Sequence, residues 1–364
     1  MITLNKAMEI VENKDAFYYK DEEHKGRKFR IFNYRLATYS DFNNDIDSLE
    51  LRGLTFDLET EKCYLGLHKF FNDRENPFTQ IEWDENDVLD VREKLDGSLI
   101  QTFFIDDILF VKTKGTFKSE QAIKSEEFIL NNGNYFNFIN DFSKKGYHIF
   151  FEFISPFNQV VIPYNKTDLV LIQIRDENGN YLDYNTLKDI ANKYNLSLAK
   201  EYNYTLKALR ELQETEEDIE GWVVRNKKYP LETQFRKFKT SSYFLKHKSI
   251  SKLQENNIIS SILNEQIDDI ISLIPINTEK RNYLEEIRNK VSHYYDKMVV
   301  ELSKLLIYKK FNDRKEFALL YKNHPYFNVL MKSKNENNLE KNLKEAILKR
   351  TQKLSNAKEF LKNI

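Results

Sequence analysis

Hydrophobic positions in the first two thirds of the chain occur in short runs that end at turn residues, a pattern typical of β-strands. His148–Ile154 and Leu169–Ile174 are almost continuously apolar, which predicts two buried strands. Ser98–Phe104 and Ile108–Thr113 flank the pair Asp106-Asp107, which predicts a tight hairpin. Shorter strands are predicted at three further places: Leu51–Leu58, Gly221–Val224 and Gln234–Phe238.

Helical spacing of apolar residues also occurs among these strands. It predicts helices at Ser119–Asn131 and Tyr184–Tyr194, and the polar run Asp176–Asn180 predicts a turn after a buried strand. Residues 1–243 are therefore predicted to form an α+β domain with antiparallel sheets.

The pattern changes after Tyr243, because all 9 glycines lie at or before Gly221. Apolar residues at helical spacing, with Lys and Glu between them, then predict only helices, in four segments: Ile258–Leu273, Glu279–Tyr308, Arg314–Lys322 and Leu339–Leu361. The Asn- and Lys-rich stretch Lys332–Lys341 is interpreted as a polar loop. Residues 244–364 are predicted to be an all-α domain.

Composition narrows the class of protein. The 364 residues are 41% hydrophobic, which excludes a disordered chain, and no apolar run reaches the length of a membrane span. The single cysteine, Cys63, excludes an internal disulfide. Without a secretory pattern at the N-terminus, the sequence predicts a soluble cytoplasmic protein with no membrane partner.

The net charge of −1 conceals an uneven distribution. Residues 244–364 carry 23 Lys and Arg against 15 Asp and Glu, whereas residues 1–243 carry 33 against 42. A basic helical domain suits a polyanionic partner, although a solvated Lys-rich surface would have the same composition.

One short segment, Glu93-Lys94-Leu95-Asp96-Gly97-Ser98, has the residue types needed for nucleotide transfer. A lysine amine attacks phosphorus only when it is deprotonated, and nearby cations or burial lower its pKa. Gly97 would allow the backbone to approach a ligand closely. A charged turn before a strand would have the same sequence, so this segment is weak evidence alone.

Further charged residues follow in order along the chain. Glu152 interrupts an apolar strand, and Glu220 precedes another. Lys237 and Lys239 are two residues apart, so they project from one face of a strand. Carboxylates suit a divalent metal and paired lysines suit a phosphate, whereas each residue alone could also lie on a solvated strand.

The ordered set resembles the covalent nucleotidyltransferases, which include ATP-dependent nucleic-acid ligases and messenger-RNA capping enzymes. Lys94–Gly97 resembles motif I, Phe151–Phe153 motif III, Glu220–Val223 motif IV and Lys237–Lys239 motif V. Other segments are similar to those of the phage-type RNA ligase 1 family: Phe29–Tyr34, Leu51–Gly53, Lys69–Asn72, Glu75–Phe78, Lys112–Gly115 and Lys118–Gln121.

The resemblance implies a role for each matching residue. Lys94 would be the adenylated nucleophile, and Lys237 and Lys239 would neutralise the α-phosphate. Glu152 would bind ribose or metal, and Glu220 would hold metal. The remaining expected site residues are nucleotide contacts and neighbours: Tyr34, Arg52, Lys69 and Glu93 at the nucleotide, Asp96 and Gly97 in motif I, and Lys114 and Tyr243 at positions with less specific roles. Asp268 is a further metal candidate, although its sequence context favours a solvated helix face.

The resemblance implies an ATP-dependent RNA ligase with an adenylation domain at 1–243 and a helical RNA-specificity domain at 244–364. ATP and Mg²⁺, which Mn²⁺ could replace, are the expected cofactors. RNA with 5′-phosphate and 3′-hydroxyl ends, such as nicked transfer RNA, is the expected substrate of a monomeric repair enzyme. A DNA ligase, a GTP-using capping enzyme and a non-catalytic nucleic-acid-binding protein are the alternatives. The glycine-free tail disfavours the first two, since those enzymes carry a small β-barrel there.

Overall fold

A computed structural model describes residues 1–43, 45–156, 162–243, 254–272, 274, 279–307, 314–336 and 338–364. The chain divides into two compact units. The first comprises Met1–Tyr34 and Tyr39–Ser249, and the second comprises Arg35–Thr38 and Ile250–Ile364. The domain boundary predicted at residues 243 and 244 borders residues 244–253, which lie outside the described residues.

The first unit is built on strands. Those in its described residues are β1 (Phe17–His24), β2 (Arg27–Tyr34), β3 (Thr55–Asp57), β4 (Cys63–Tyr64), β5 (Phe71–Asn72), β6 (Asp90–Lys94), β7 (Ser98–Ile105), β8 (Ile108–Lys112), β9 (His148–Ile154), β10 (Asp168–Arg175), β11 (Glu201–Tyr202), β12 (Gly221–Arg225) and β13 (Phe235–Lys239).

These strands form three sheets with the orders β1-β2-β3-β4, β10-β9-β7-β8 and β11-β6-β12-β13-β5. Every pair is antiparallel except β13 with β5. The hairpin predicted between β7 and β8 forms because Asp106 and Asp107 adopt left-handed φ angles of 46° and 61°, a conformation that Asp tolerates better than most residues. The prediction for β9 is confirmed residue for residue, whereas only Thr55–Asp57 of Leu51–Leu58 is a strand.

Helices cover the second of these sheets. The helices of the first unit are α1 (Leu4–Asn13), α2 (Tyr39–Asn43), α3 (Pro77–Gln80), α4 (Glu120–Leu130), α5 (Gly133–Lys144), α6 (Tyr184–Tyr194), α7 (Leu206–Thr215) and α8 (Leu231–Gln234). Apolar residues of α4, α5 and α6, such as Ile129, Phe138 and Leu187, form one buried cluster with Phe151 of β9. Ser119 begins α4 by accepting a hydrogen bond from the Ala122 amide at 3.2 Å, which satisfies one unpaired backbone donor of the first turn.

The described residues of the second unit that form regular structure are all helical. Its helices are α9 (Glu255–Leu263), α10 (Ile267–Ser272), α11 (Glu279–Ile307), α12 (Arg314–Tyr321), α13 (Phe327–Glu336), α14 (Leu339–Arg350) and α15 (Leu354–Asn363). Their core includes Ile262, Leu284, Val291 and Ile347, all essentially buried. The predicted α+β class with a helical C-terminal region is confirmed.

Several element predictions for this unit are wrong in detail. Ile258–Leu273 is two helices, because the chain turns at Glu265, whose φ is 57°. Leu339–Leu361 is also two helices. The predicted loop at Lys332–Lys341 is largely the end of α13 and the start of α14, since Leu330 and Ser333 are buried while Lys332 faces solvent and pairs with Glu345 at 3.1 Å.

A short piece of the N-terminal half belongs to the second unit. Arg35 is buried there, with its Nε 3.1 Å from Asp296 Oδ1 and its Nη1 3.1 Å from Glu340 Oε1. Arg288 donates to the Ala37 carbonyl at 3.5 Å. The sequence pattern did not predict that Arg35–Thr38 belongs to the second unit.

Among the helices of the described ranges, none has the length and apolarity needed to cross a membrane.

Candidate active site

The nucleophile candidate lies at the end of three paired strands. Gly221 of β12 is the register partner of Lys94 on β6 and of Lys239 on β13. Glu220 directly precedes β12, so its carboxylate lies between the two lysines. Lys94 Nζ donates to Glu220 Oε2 at 2.7 Å, and Lys239 Nζ lies 2.9 Å from Glu220 Oε1. One buried carboxylate therefore pairs with two ammonium groups.

Lys237 shares one partly buried face of β13 with Lys239, as the spacing predicted. Burial, reinforced by the charges of Lys69 and Arg52, holds the pKa of Lys237 well below its ordinary value. The ammonium group lies 5.1 Å from the centre of the Phe70 ring. These cations repel one another, so the cluster favours a ligand with several negative charges.

Glu152 lies on β9, in a different sheet from Lys94, and its Oε1 accepts a hydrogen bond from the Gly97 amide at 3.1 Å. Burial raises the pKa of Glu152 to about 7, and the charge of Lys94 acts in the opposite direction. Gly97 is required by this close approach, because a Cβ there would lie 2.3 Å from the Phe153 carbonyl oxygen. Motif I and motif III thus meet through backbone contact.

Asp96 is buried and its contacts shape the motif I turn. Its Oδ1 accepts a hydrogen bond from the Tyr243 hydroxyl at 2.9 Å, and its Oδ2 accepts one from the Ile162 amide at 2.7 Å. Its own amide donates to the Tyr164 hydroxyl at 2.9 Å. Lys239 Nζ lies 5.3 Å from the centre of the Tyr243 ring. Asp96 therefore links the motif I turn to Tyr243, four residues after motif V.

Two lysines among the expected site residues lie near the ring of Tyr34. Lys69 Nζ lies 5.6 Å and Lys114 Nζ 5.3 Å from the centre of its ring, distances at which an ammonium is attracted to the ring face. Lys69 also lies 4.8 Å from the Phe71 ring. Among the described residues, Arg52 makes a long hydrogen bond to the Leu67 carbonyl, at 3.5 Å.

Sequence reasoning gave no role to Lys112, which is fully buried on β8. Its Nζ donates to the Gly53 carbonyl at 3.0 Å and approaches the Lys114 carbonyl at 3.4 Å. Burial lowers the pKa of Lys112 to about 7. The side chain joins the segments that carry Arg52 and Lys114. The sequence signal that could have identified Lys112 is its place beside Lys114 in the family-like segment Lys112-Thr113-Lys114-Gly115.

The remaining predicted residues lie as follows. Glu93 is half-buried on β6, and burial raises its pKa. Asp268 belongs to the second unit, where its Oδ1 lies 2.7 Å from Arg288 Nη2. Across the described ranges, no group of three or more His, Cys, Asp or Glu side chains is arranged as a metal cage. Glu152 and Glu220 nevertheless suit a metal bound mainly through phosphates and water, as Mg²⁺ often is.

Comparison with known proteins establishes the family. A family model described as RNA ligase matches residues 50–256, more than half of the chain. A protein from Thermovibrio ammonificans named as a candidate RNA ligase is 29% identical over 318 residues, which span 84% of this chain and 80% of that protein. The chain belongs to the RNA ligase family, as its motifs predicted.

Solved structures show more distant likeness. An archaeal ATP-dependent RNA ligase is similar over 86% of this chain and 85% of its own, with 12% identity and a TM-score of 0.48. A candidate ATP-dependent DNA ligase from Aquifex aeolicus is similar over 88% of both chains, with 16% identity and a TM-score of 0.47. Both scores are too low to bear on the substrate.

Proposed function

We propose that this protein is an ATP-dependent RNA ligase that joins a 5′-phosphate to a 3′-hydroxyl through lysyl–AMP and adenylated-RNA intermediates. The observation that carries the proposal is the bridging carboxylate of Glu220, which pairs with Lys94 at 2.7 Å and Lys239 at 2.9 Å. This arrangement supports the proposal, because nucleotidyl transfer needs a lysine nucleophile beside a proton acceptor and a second cation.

In the first step, Lys94 Nζ attacks the α-phosphorus of ATP. An N–P bond forms, the bond to the pyrophosphate oxygen breaks, and the amine loses a proton. Glu220 is suited to accept that proton because its carboxylate already accepts a hydrogen bond from Lys94. Lys237 and Lys239 would stabilise the charge on the transferring phosphoryl group, which is spread over its equatorial oxygens.

The next two steps use the same cations. A 5′-phosphate oxygen of RNA attacks the α-phosphorus, the P–N bond breaks, and Lys94 regains a proton. The 3′-hydroxyl then attacks the 5′-phosphorus of the adenylated RNA, forming a phosphodiester and releasing AMP. The proposed enzyme acts as a monomer in the cytoplasm, where it repairs cut RNA such as nicked transfer RNA.

A divalent metal completes the proposal. Mg²⁺, with Mn²⁺ as a substitute, would be held directly or through its water shell by Glu152 and Glu220. The metal would help the cationic cluster to neutralise the four negative charges of the triphosphate. Arg52, Lys69, Tyr34, Glu93 and Lys114 would then contact the nucleotide.

The helical second unit is proposed to select the RNA. Residues 244–364, which hold all of this unit except Arg35–Thr38, carry 23 basic against 15 acidic residues, a balance suited to a phosphate backbone. A chain that ends at Tyr243 should still adenylate itself but should lose its preference among RNAs. Retention of the full preference by a folded truncated protein would contradict this role.

Sealing assays test the proposed function directly. Nicked strands with a 5′-phosphate and 3′-hydroxyl, made of either RNA or DNA, are incubated with ATP and Mg²⁺ and resolved on denaturing gels. The RNA should be sealed through a transient species one AMP longer at its 5′ end. Efficient sealing of DNA but not RNA would favour the DNA ligase alternative, and GTP use without sealing would favour capping.

A further inference from the structure

Arg175 ends β10 and belongs to none of the motifs, yet its guanidinium makes four hydrogen bonds. Its side chain is almost completely buried. Nη1 and Nη2 each donate to one oxygen of Glu50 at 2.7 Å. Nη1 also donates to the Gly66 carbonyl at 2.8 Å, and Nε donates to the Gly179 carbonyl at 2.7 Å. This is a bidentate pair with two additional backbone acceptors.

The Glu50 and Gly66 segments each lead into a predicted nucleotide contact, Arg52 and Lys69. Glu50 ends the 3₁₀-helix Ile46–Glu50, two residues before Arg52, and Gly66 lies three residues before Lys69. The segments touch directly: a Cβ at Gly66 would lie 2.3 Å from the Arg52 carbonyl oxygen, and the Lys69 amide donates to the Leu49 carbonyl at 2.7 Å. A shift of either segment would therefore move the other.

The arginine also supports the residue before Lys69. Its guanidinium lies 4.7 Å from the centre of the Tyr181 ring. The Tyr181 hydroxyl accepts a hydrogen bond from the His68 amide at 3.2 Å and lies 2.5 Å from His68 Nδ1. Burial and the charge of Arg175 keep the pKa of His68 well below its ordinary value, so this pair is uncharged. Lys69 thus follows a residue that is fixed on both its backbone and its ring.

We propose that Arg175 is a positioning residue that holds Arg52 and Lys69 in place to receive the nucleotide. The inference rests on the proposed function, in which those two side chains contact ATP. Lysine cannot replace this arginine, because a compact ammonium with three donors cannot reproduce a planar fork that makes four hydrogen bonds in fixed directions. Lys94, Glu220 and Lys239 lie on other strands and should be unaffected.

The test is a titration of ATP in single-turnover self-adenylation of the full chain. Arg175→Lys should raise the apparent dissociation constant for ATP by about tenfold, comparable to one lost charged hydrogen bond. Its limiting rate at saturating ATP should stay within about threefold of wild type, because the groups that act on the α-phosphate are intact. A purely structural role would lower the melting temperature without this change in ATP binding.

Three further variants make the result decisive. Glu50→Gln weakens the Arg175–Glu50 pair less than Arg175→Lys does, so it should raise the apparent dissociation constant for ATP by a smaller factor. It provides the test if Arg175→Lys does not fold. Arg30→Lys is the matched control, since Arg30 makes a bidentate pair with Asp21 at 2.7 Å in the β1–β2 hairpin. Its ATP constant should match wild type. Arg52→Ala reports whether Arg52 contacts ATP at all.

The outcomes separate the inference from the function on which it rests. A raised constant for Arg52→Ala with a wild-type constant for folded Arg175→Lys and Glu50→Gln would overturn the inference alone. A wild-type constant for Arg52→Ala as well would overturn the proposed role of Arg52 and the inference with it. An equal rise in the Arg30→Lys control would also contradict a specific role for Arg175.

Discussion

Replacing Lys239 by Ala should slow self-adenylation far more than it weakens ATP binding. Lys239 is largely buried and lies 2.9 Å from Glu220, in register with Gly221 and beside Lys94. Its charge would act on the α-phosphoryl group as pyrophosphate leaves, so its contribution should be larger in the transition state than in the ground state. Loss of one such preorganised donor costs about a hundredfold or more in rate.

A second effect acts in the same direction. Without Lys239, the Glu220 carboxylate keeps Lys94 as its only described lysine partner, at 2.7 Å. The Glu220 carboxylate would then lose the contact from Lys239, so it would orient Lys94 less well for attack. Apparent ATP affinity should change by only about threefold, because the other cations of the cluster remain.

The assay is single-turnover self-adenylation at saturating ATP and Mg²⁺. Lys239→Arg should restore the rate only in part, because a planar guanidinium does not fit the place of a compact ammonium. Lys228→Ala is the matched control: Lys228 forms an exposed ion pair with Asp87 at 2.8 Å, just beyond the other end of β12. Its rate should stay within about twofold of wild type. A wild-type rate for Lys239→Ala, or equal losses in both variants, would refute the reasoning.

Two further predictions concern the motif I and motif III contact. Glu152→Gln should raise the free energy of unfolding by roughly 2 kcal/mol at pH 8 and by little at pH 5. The pKa of the Glu152 carboxyl is raised to about 7 in the folded protein, so the wild type loses stability as pH rises and this group ionises, whereas Gln stays neutral. Urea unfolding at both pH values measures this, and equal changes would contradict it. Gly97→Ala should reduce self-adenylation strongly, since its Cβ would lie 2.3 Å from the Phe153 carbonyl oxygen. Gly133→Ala is the control, because a Cβ there meets nothing within 4 Å. A wild-type rate for Gly97→Ala would show that the turn accommodates a Cβ.

Local patterns predicted the parts of the fold that local chemistry determines. β9 is apolar on both faces apart from His148 and Glu152. The limits of α6 follow from Asp183, which accepts a hydrogen bond from the Thr186 amide at 3.0 Å, and from Asn195, which is in a left-handed conformation at its end. The breaks at Glu265 and after Arg350 were missed because helical spacing of apolar residues continues across them. Arg35 was missed because its partners are more than 250 residues away.

The candidate site shows the same limit. Sequence order identified Lys94, Glu220 and Lys239, and strand spacing placed Lys237 and Lys239 on one face. The bridge by Glu220 depends on the register of three strands, which no local pattern specifies. The Arg175 fork depends on three separate segments and could not be inferred from its place at the end of an apolar strand.

The central claim, that Lys94 is the covalent nucleophile, is tested most directly by mass spectrometry of the protein after incubation with ATP and Mg²⁺. The account predicts an added AMP, labile to acid, on the peptide that contains Lys94, and no such adduct on Lys94→Ala. The same variant should still seal RNA that is supplied already adenylated, because Lys94 acts as nucleophile only in the first step. An AMP adduct on a different residue, or one that persists in Lys94→Ala, would contradict the account.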